Sequence, residues 1–272
     1  MNTDIQRYAL TMPQYQETLI CLQRILDFQA SLADRIEPGL RIEPSAARAK
    51  LRAGLPLFAG EFLPIPVSLF QEALADLRPL LPAGETGQVA LDRLLASSQL
   101  APMQIETWLT ELIADSAACV QRLADDTSSH PSTLAFLLNT ALSPFLDSFA
   151  AAYREQVESV DWRRGMCPMC GSEPWMARLA HKDGRRILAC PLCRTEWGFD
   201  RLRCPFCESQ DQPLLRHFTV DDDEAHRVDC CDRCQRYIKT VDERVSDRPA
   251  NLLVEDVITA HLDLLAREQG YV

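Results

Sequence analysis

Eight of the eleven cysteines fall into four Cys-x-x-Cys pairs: Cys167/Cys170, Cys190/Cys193, Cys204/Cys207 and Cys231/Cys234. A Cys-x-x-Cys knuckle turns two sulfurs toward one ion, and a loop of about 15–20 residues brings back a second knuckle to complete a tetrahedron of thiolates. The spacers between successive pairs are 19, 10 and 23 residues. Two consecutive ribbon-like modules fit those intervals best, the first two pairs closing one site and the last two the other. Iron and zinc both accept four soft thiolates, so the donor set alone leaves both open. In the first knuckle Pro168 restricts the turn and Gly171 can take a positive φ, which frees backbone amides to point at sulfur. Pro191 and Pro205 repeat the proline, whereas Asp232-Arg233 lacks it.

Disulfides and redox pairs are the competing chemistries. A disulfide framework belongs to a short secreted chain behind a leader, yet Met1-Asn2-Thr3-Asp4 opens without a charged-then-apolar segment, and a cytoplasmic location is expected. A thioredoxin-type pair would sit once, at a strand-to-helix junction, not four times among short strands. No Gly-x-Ser-x-Gly, Walker loop or open metal site with a water position is evident, so no enzyme is expected. The 272 residues carry a formal charge of −11, and eight thiolates around two divalent ions add about −4 more. Free nucleic acid is therefore not an expected partner.

These knuckles need elements to position them. Residues 1–160 hold two of the eleven cysteines and read as helix. A stripe runs from Thr18 to Ile36, followed by proline-bounded pieces over 44–58, 67–81 and 90–100, with Gly84 and Gly87 marking a loop. The segment 103–126 reads as one amphipathic helix with Trp108, Leu112, Val120 and Leu123 on one face. Pro131 suits a first helical position, and the apolar run from Leu134 to Phe149 should be central, kinked or split at Pro144. That run is too interrupted for membrane insertion to be expected. From Asp161 the pattern turns to short strands over 185–189, 195–202, 214–220, 226–229 and 237–241. A last helix over 252–268 presents an apolar face to the metal modules, to the helical domain or to a second copy in a homodimer.

Cys21 and Cys119 sit among apolar neighbours and read as core. Cys230 reads as a bystander to Cys231, and His217 and His226 are surplus to two complete sites. Trp175, Trp197 and Tyr237 either shield a metal–sulfur centre or simply pack. Between Asp161 and Cys204 nine basic residues face five acidic ones. They suit a docking patch around Arg185 and Arg186, a nucleic-acid contact, or compensation of thiolate charge.

The motifs Cys167-Pro-Met-Cys-Gly-Ser-Glu-Pro174, Cys190-Pro-Leu-Cys-Arg-Thr-Glu-Trp197, Arg203-Cys-Pro-Phe-Cys207 and Cys231-Asp-Arg-Cys-Gln-Arg-Tyr-Ile-Lys239 resemble FdhE, the formate dehydrogenase accessory proteins. The resemblance covers the C-terminal 110 or so residues strongly and the helical half weakly. It implies a cytoplasmic, non-catalytic maturation factor that contacts the catalytic subunit of respiratory formate dehydrogenase, with rubredoxin-like iron sites, zinc being the alternative. By the same resemblance the ligands are Cys167, Cys170, Cys190, Cys193, Cys204, Cys207, Cys231 and Cys234. The expected fold is α+β: a mainly helical N-terminal domain (1–160), two small rubredoxin-like or zinc-ribbon-like metal modules (161–203 and 204–248) and a C-terminal helix (249–272). A rubredoxin-like electron carrier and a zinc-ribbon nucleic-acid binder are the competing functions.

Overall fold

A computed structural model describes residues 3–272 except 38, 82–85, 99–101, 115, 221–222 and 247. Gly84 and Leu100, expected to mark a loop and a helix end, lie outside the described residues. The helices before residue 160 are α1 (Thr3–Thr11), α2 (Gln16–Ala33), α3 (Pro44–Arg52), α4 (Val67–Asp76), α5 (Thr86–Ser98), α6 (Pro102–Ala114), α7 (Ser116–Thr127), α8 (Pro131–Ala151) and α9 (Arg154–Glu158). Periodicity does not announce α1, because Ile5 is its one buried residue.

Residues 23–42 and 58–152 form one compact unit. Its centre is α8, against which α4, α5 and α7 pack, with Phe70 edge-on to Phe145 at 6.3 Å between ring centroids. By length and composition α8 is apolar enough to cross a bilayer, but 67% of its apolar window is buried within the protein. The helix runs through Pro144 without splitting. Proline removes the N–H that would bond to the carbonyl four residues back; that carbonyl, Thr140 O, instead accepts from Gln29 Nε2 at 2.9 Å. The single helix expected over 103–126 is two, α6 and α7. Cys119 Sγ donates to Trp108 O at 3.8 Å, whereas a continuous helix would hold residues that far apart in sequence about 16 Å apart. Folding back buries Trp108, Leu112, Val120 and Leu123 together in this unit.

Residues 1–22, 43–57 and 153–272 form the second unit. Two N-terminal stretches thus group with the cysteine region, where a single helical domain over 1–160 was expected. Six strands build one sheet: β1 (Met176–Leu179), β2 (Arg186–Ala189), β3 (Glu196–Phe199), β4 (Leu215–Val220), β5 (Asp223–Cys231) and β6 (Arg236–Asp242), in the order β3-β2-β1-β6-β5-β4. Neighbours are antiparallel except β1 and β6, which run parallel with Met176 opposite Lys239 and Leu179 opposite Asp242. This parallel seam joins the first cysteine module to the second, so the two share one sheet. Alternation along β5 sends Arg227, Asp229 and Cys231 to one face and His226, Val228 and Cys230 to the other.

The chain ends with α10 (Glu243–Ser246), α11 (Leu252–Ile258) and α12 (Ala260–Glu268). The helix expected over 252–268 breaks at Thr259, whose hydroxyl donates to Glu255 O at 2.6 Å and so competes with continued helical bonding. Leu262 and Ala266 of α12 close over Val228, Cys230 and Tyr271, with Phe218 and Tyr237 at the edge. Within this unit the apolar face of the last helix therefore has its partner.

Candidate metal centre

Each knuckle is built by the same backbone device. The residue after the second cysteine has a positive φ in all four: Gly171 (82°), Arg194 (54°), Glu208 (57°) and Gln235 (57°). That left-handed residue lets the chain close on itself, Gly171 N–H donating to Cys167 O at 3.0 Å, Glu208 N–H to Cys204 O at 3.0 Å and Gln235 N–H to Cys231 O at 2.8 Å. Backbone amides are then free to face sulfur. Leu192 and Cys193 N–H both donate to Cys190 Sγ, and Phe206 N–H to Cys204 Sγ, each at 3.4 Å.

The eight sulfurs converge as two quartets, Cys167/Cys170/Cys190/Cys193 and Cys204/Cys207/Cys231/Cys234, with the four sulfurs of each within 4.8 Å of one another. The sulfurs of Cys167 and Cys193, and of Cys170 and Cys190, stand 3.4 Å apart. Cys204 and Cys234, and Cys207 and Cys231, stand 3.7 Å apart. A tetrahedron with metal–sulfur bonds of about 2.3 Å has edges of about 3.8 Å, so each quartet fits one thiophilic ion. Burial pushes the Cys167 and Cys193 thiols well above the usual range, while hydrogen bonds from Cys167, Cys190 and Cys193 hold Cys170 well below it. Burial also raises Cys204 and Cys234. A bound cation is what would hold such a buried group of sulfurs deprotonated.

The remaining candidates separate cleanly. Cys230 lies on the α12 face, away from Cys231, and burial raises its thiol to about 12. His226 is structural: Nδ1 meets Asp223 Oδ2 at 2.7 Å and Nε2 meets Glu255 Oε2 at 2.8 Å, where Glu255 is fully buried and also receives Arg248 at 2.7 Å. Trp175 packs with Met176, Ala189, Val241 and Leu252, Trp197 Nε1 donates to Arg164 O at 2.9 Å, and Tyr237 donates to Asp263 at 2.8 Å. The basic face expected around Arg185 and Arg186 is not assembled. Arg186 is 3% exposed, and Arg163, Arg178, Arg185 and Arg203 are held by Asp161, Glu196, Asp183 and Glu208. A run of basic residues in sequence does not reveal that strand alternation and nearby carboxylates will disperse it.

Two family models cover this region end to end: the FdhE central domain matches residues 166–201 and the FdhE C-terminal domain matches residues 202–272. Residues 166–272 of the chain therefore carry the FdhE central and C-terminal domains. A protein FdhE homolog from Aquifex aeolicus is 32% identical over 142 residues, 51% of this chain and 49% of that protein. Protein FdhE from Escherichia coli strain K12 is 30% identical over 178 residues, 61% of this chain and 54% of its own. The aligned region thus spans about half the length of these relatives. The crystal structure of the FdhE protein from Pseudomonas aeruginosa superimposes with a TM-score of 0.72 over 99% of this chain and 90% of that one, at 24% identity. That likeness in fold extends through the helical half, beyond the residues that the family models match.

Proposed function

We propose that the protein is a non-catalytic cytoplasmic accessory factor for the maturation of respiratory formate dehydrogenase, docking on its catalytic subunit through the cysteine-bearing unit. The observation that carries this reading is the pair of complete cysteine quartets inside the segment that the two FdhE models match. Cys167, Cys170, Cys190 and Cys193 hold one ion and Cys204, Cys207, Cys231 and Cys234 the other, iron in the leading assignment and zinc in the alternative. When bound, each ion supplies the cross-link that a small ribbon cannot obtain from apolar burial alone. The chain's own contribution is to preset the knuckles through their left-handed residues and to lock the two modules in one sheet, so that a partner meets a rigid surface.

The test is affinity capture of the full chain from nuclease-treated, anaerobically grown cells, beside the Cys204→Ser/Cys207→Ser variant. Recovery of a formate dehydrogenase catalytic subunit by the wild type alone is the expected result. Capture of redox proteins or nucleic-acid machinery, with no such subunit, would overturn the reading. The partial exposure of Cys207 and Cys234 supports a second reading, a rubredoxin-like electron carrier. A reversible one-electron couple in the iron-loaded protein would favour it, and zinc in the protein as isolated would end it.

A further inference from the structure

Beside the second quartet lies a cavity of about 170 Å³, bounded in part by Cys204, Cys231 and His217. Six arginines line it, and Asp229 is the one carboxylate in that lining among the described residues. Arg203, Arg216 and Arg236 are each held by a carboxylate outside the lining, namely Glu208, Asp232 and Glu173. Arg186 and Arg227 share Asp229, whose oxygens stand 3.4 Å from Arg186 Nη2 and 3.0 Å from Arg227 Nε and also accept from Thr240 Oγ1 at 2.7 Å, and Arg201 lines the same cavity.

Arg186 is the decisive residue. Its side chain is 4% exposed; Nη1 donates to Arg203 O at 3.3 Å and Nη2 faces Asp229 Oδ2 at 3.4 Å, but its Nε is buried with neither a hydrogen-bond partner nor an ion pair, as is Arg203 Nε. Buried donors on charged groups are rarely left unmade, and a guanidinium is planar and matches the oxygens of an oxyanion in pairs. Thiolate charge alone does not account for the arrangement: among the described residues no arginine of this cavity donates to a sulfur of the quartet, and diffuse negative charge would not demand directed donors. The small volume suits one inorganic anion and excludes a nucleotide.

We propose that this cavity binds a free tetrahedral oxyanion of the phosphate or sulfate class, held by Arg186, Arg201 and Arg227. The site is independent of the docking role and does not require it. Its occupant would sit against Cys204 and Cys231, coupling anion binding to the second quartet and not to the first.

The metal-loaded full chain is titrated with inorganic phosphate, and with chloride at matched ionic strength, by calorimetry. The expected result is saturable phosphate binding with a Kd below about 1 mM, no chloride response, and at least tenfold weaker binding by Arg186→Met that retains both metals. Phosphate should also slow chelator removal of the second metal alone. The exposed Arg201→Ser, which leaves the buried lining intact, should bind severalfold more weakly and carries the test if Arg186→Met does not fold. Equal responses to phosphate and chloride, or unchanged phosphate binding in a folded variant, would overturn the proposal. So would loss of the second metal from Arg186→Met when the wild type binds no phosphate, since the arginines would then serve only the thiolate charge.

Discussion

The two cysteine quartets share ligand types, knuckle spacing and backbone device, yet they sit under different cover. In the first, Cys167, Cys190 and Cys193 are buried and Cys170 is partly so; in the second, only Cys204 and Cys231 are buried. The cover over the first comes from far away in sequence. Leu57 N–H donates to Pro168 O at 2.9 Å, and a Cβ on Gly171 would stand 3.2 Å from Pro56 Cγ, so the segment after α3 lies on the first knuckle. The second is flanked by its own neighbours, with the Arg236 guanidinium 3.8 Å from the Phe206 ring centroid. Two quartets of the same composition thus differ in exposure, the first suited to a structural anchor and the second to an accessible site, and the protein around each sets the difference.

The largest expected effect tests that division. Structural tetrathiolate sites carry apparent binding free energies of about 10–16 kcal/mol that act as folding free energy. Cys167→Ser/Cys170→Ser should therefore collapse the whole six-stranded unit, read as loss of both metals and of its cooperative thermal transition. Cys204→Ser/Cys207→Ser should release one metal per chain and leave the first site loaded. In the wild type, a chelator should remove metal in two phases, the faster belonging to the second quartet by about tenfold or more, in line with the greater exposure of its ligands. A single phase, or equal damage from the two double variants, would break the distinction between anchor and accessible site.

The grouping of the cysteines into two quartets was legible in the sequence and their cover was not. Four Cys-x-x-Cys pairs at readable intervals announce the two quartets because a knuckle is a local object, complete within five residues. Burial of the first depends on Pro56 and Leu57, more than 100 residues before Cys167, and no local pattern signals that contact. The seam between modules was hidden for a similar reason. Met176-Ala-Arg-Leu179 is too short to show alternation, and it becomes a strand by pairing in parallel with β6, a long-range contact. Helix positions were easier than helix breaks: the apolar stripes in α6 and α7 read correctly, but whether they continue as one rod depends on what each face can bury. The basic run failed as a surface because Arg186 alternates inward and its neighbours find carboxylates.

A medium-sized effect should appear with pH at β5, whose His226 lies on the face opposite Cys231. Burial disfavours the charged form of His226, but its hydrogen bonds to Asp223 and Glu255 outweigh that and raise its pKa to about 9 from 6.5. A pKa raised by folding stabilises fully below about 6.5, and the contribution is lost as pH climbs through about 9. The wild type should therefore exceed His226→Gln by about 1–3 kcal/mol at pH 6 in urea unfolding of the metal-loaded chain, the difference shrinking toward pH 9. Because β5 carries both His226 and Cys231, the faster chelation phase should also accelerate over that range while the slower one holds. A constant gap between the two proteins, or equal acceleration of both phases, would mean that the His226 cluster does not report on the second quartet.

The smallest effect isolates the knuckle backbone from its cover. All four knuckles need a left-handed residue, a conformation that costs an ordinary side chain about 1–2 kcal/mol and glycine almost nothing. Only the first knuckle has glycine there, at φ 82°, and the last places Gln235 at φ 57° with its side chain turned back to Asp232 O at 2.7 Å. Gly171→Ala should therefore destabilise by about 1–2 kcal/mol, with a further penalty from the contact at Pro56. Gln235→Gly should stabilise by at most about 1 kcal/mol, because relief of the left-handed strain is offset by the greater chain entropy of glycine and the lost Asp232 bond. Chelation kinetics read each site separately: the alanine should speed release from the first quartet, and the glycine should slow release from the second. Equal and opposite changes would assign the effect to backbone strain alone. A larger change at Gly171 would show that cover by the Pro56 segment adds to it, and no change at Gly171 would show that the first quartet owes its protection to neither.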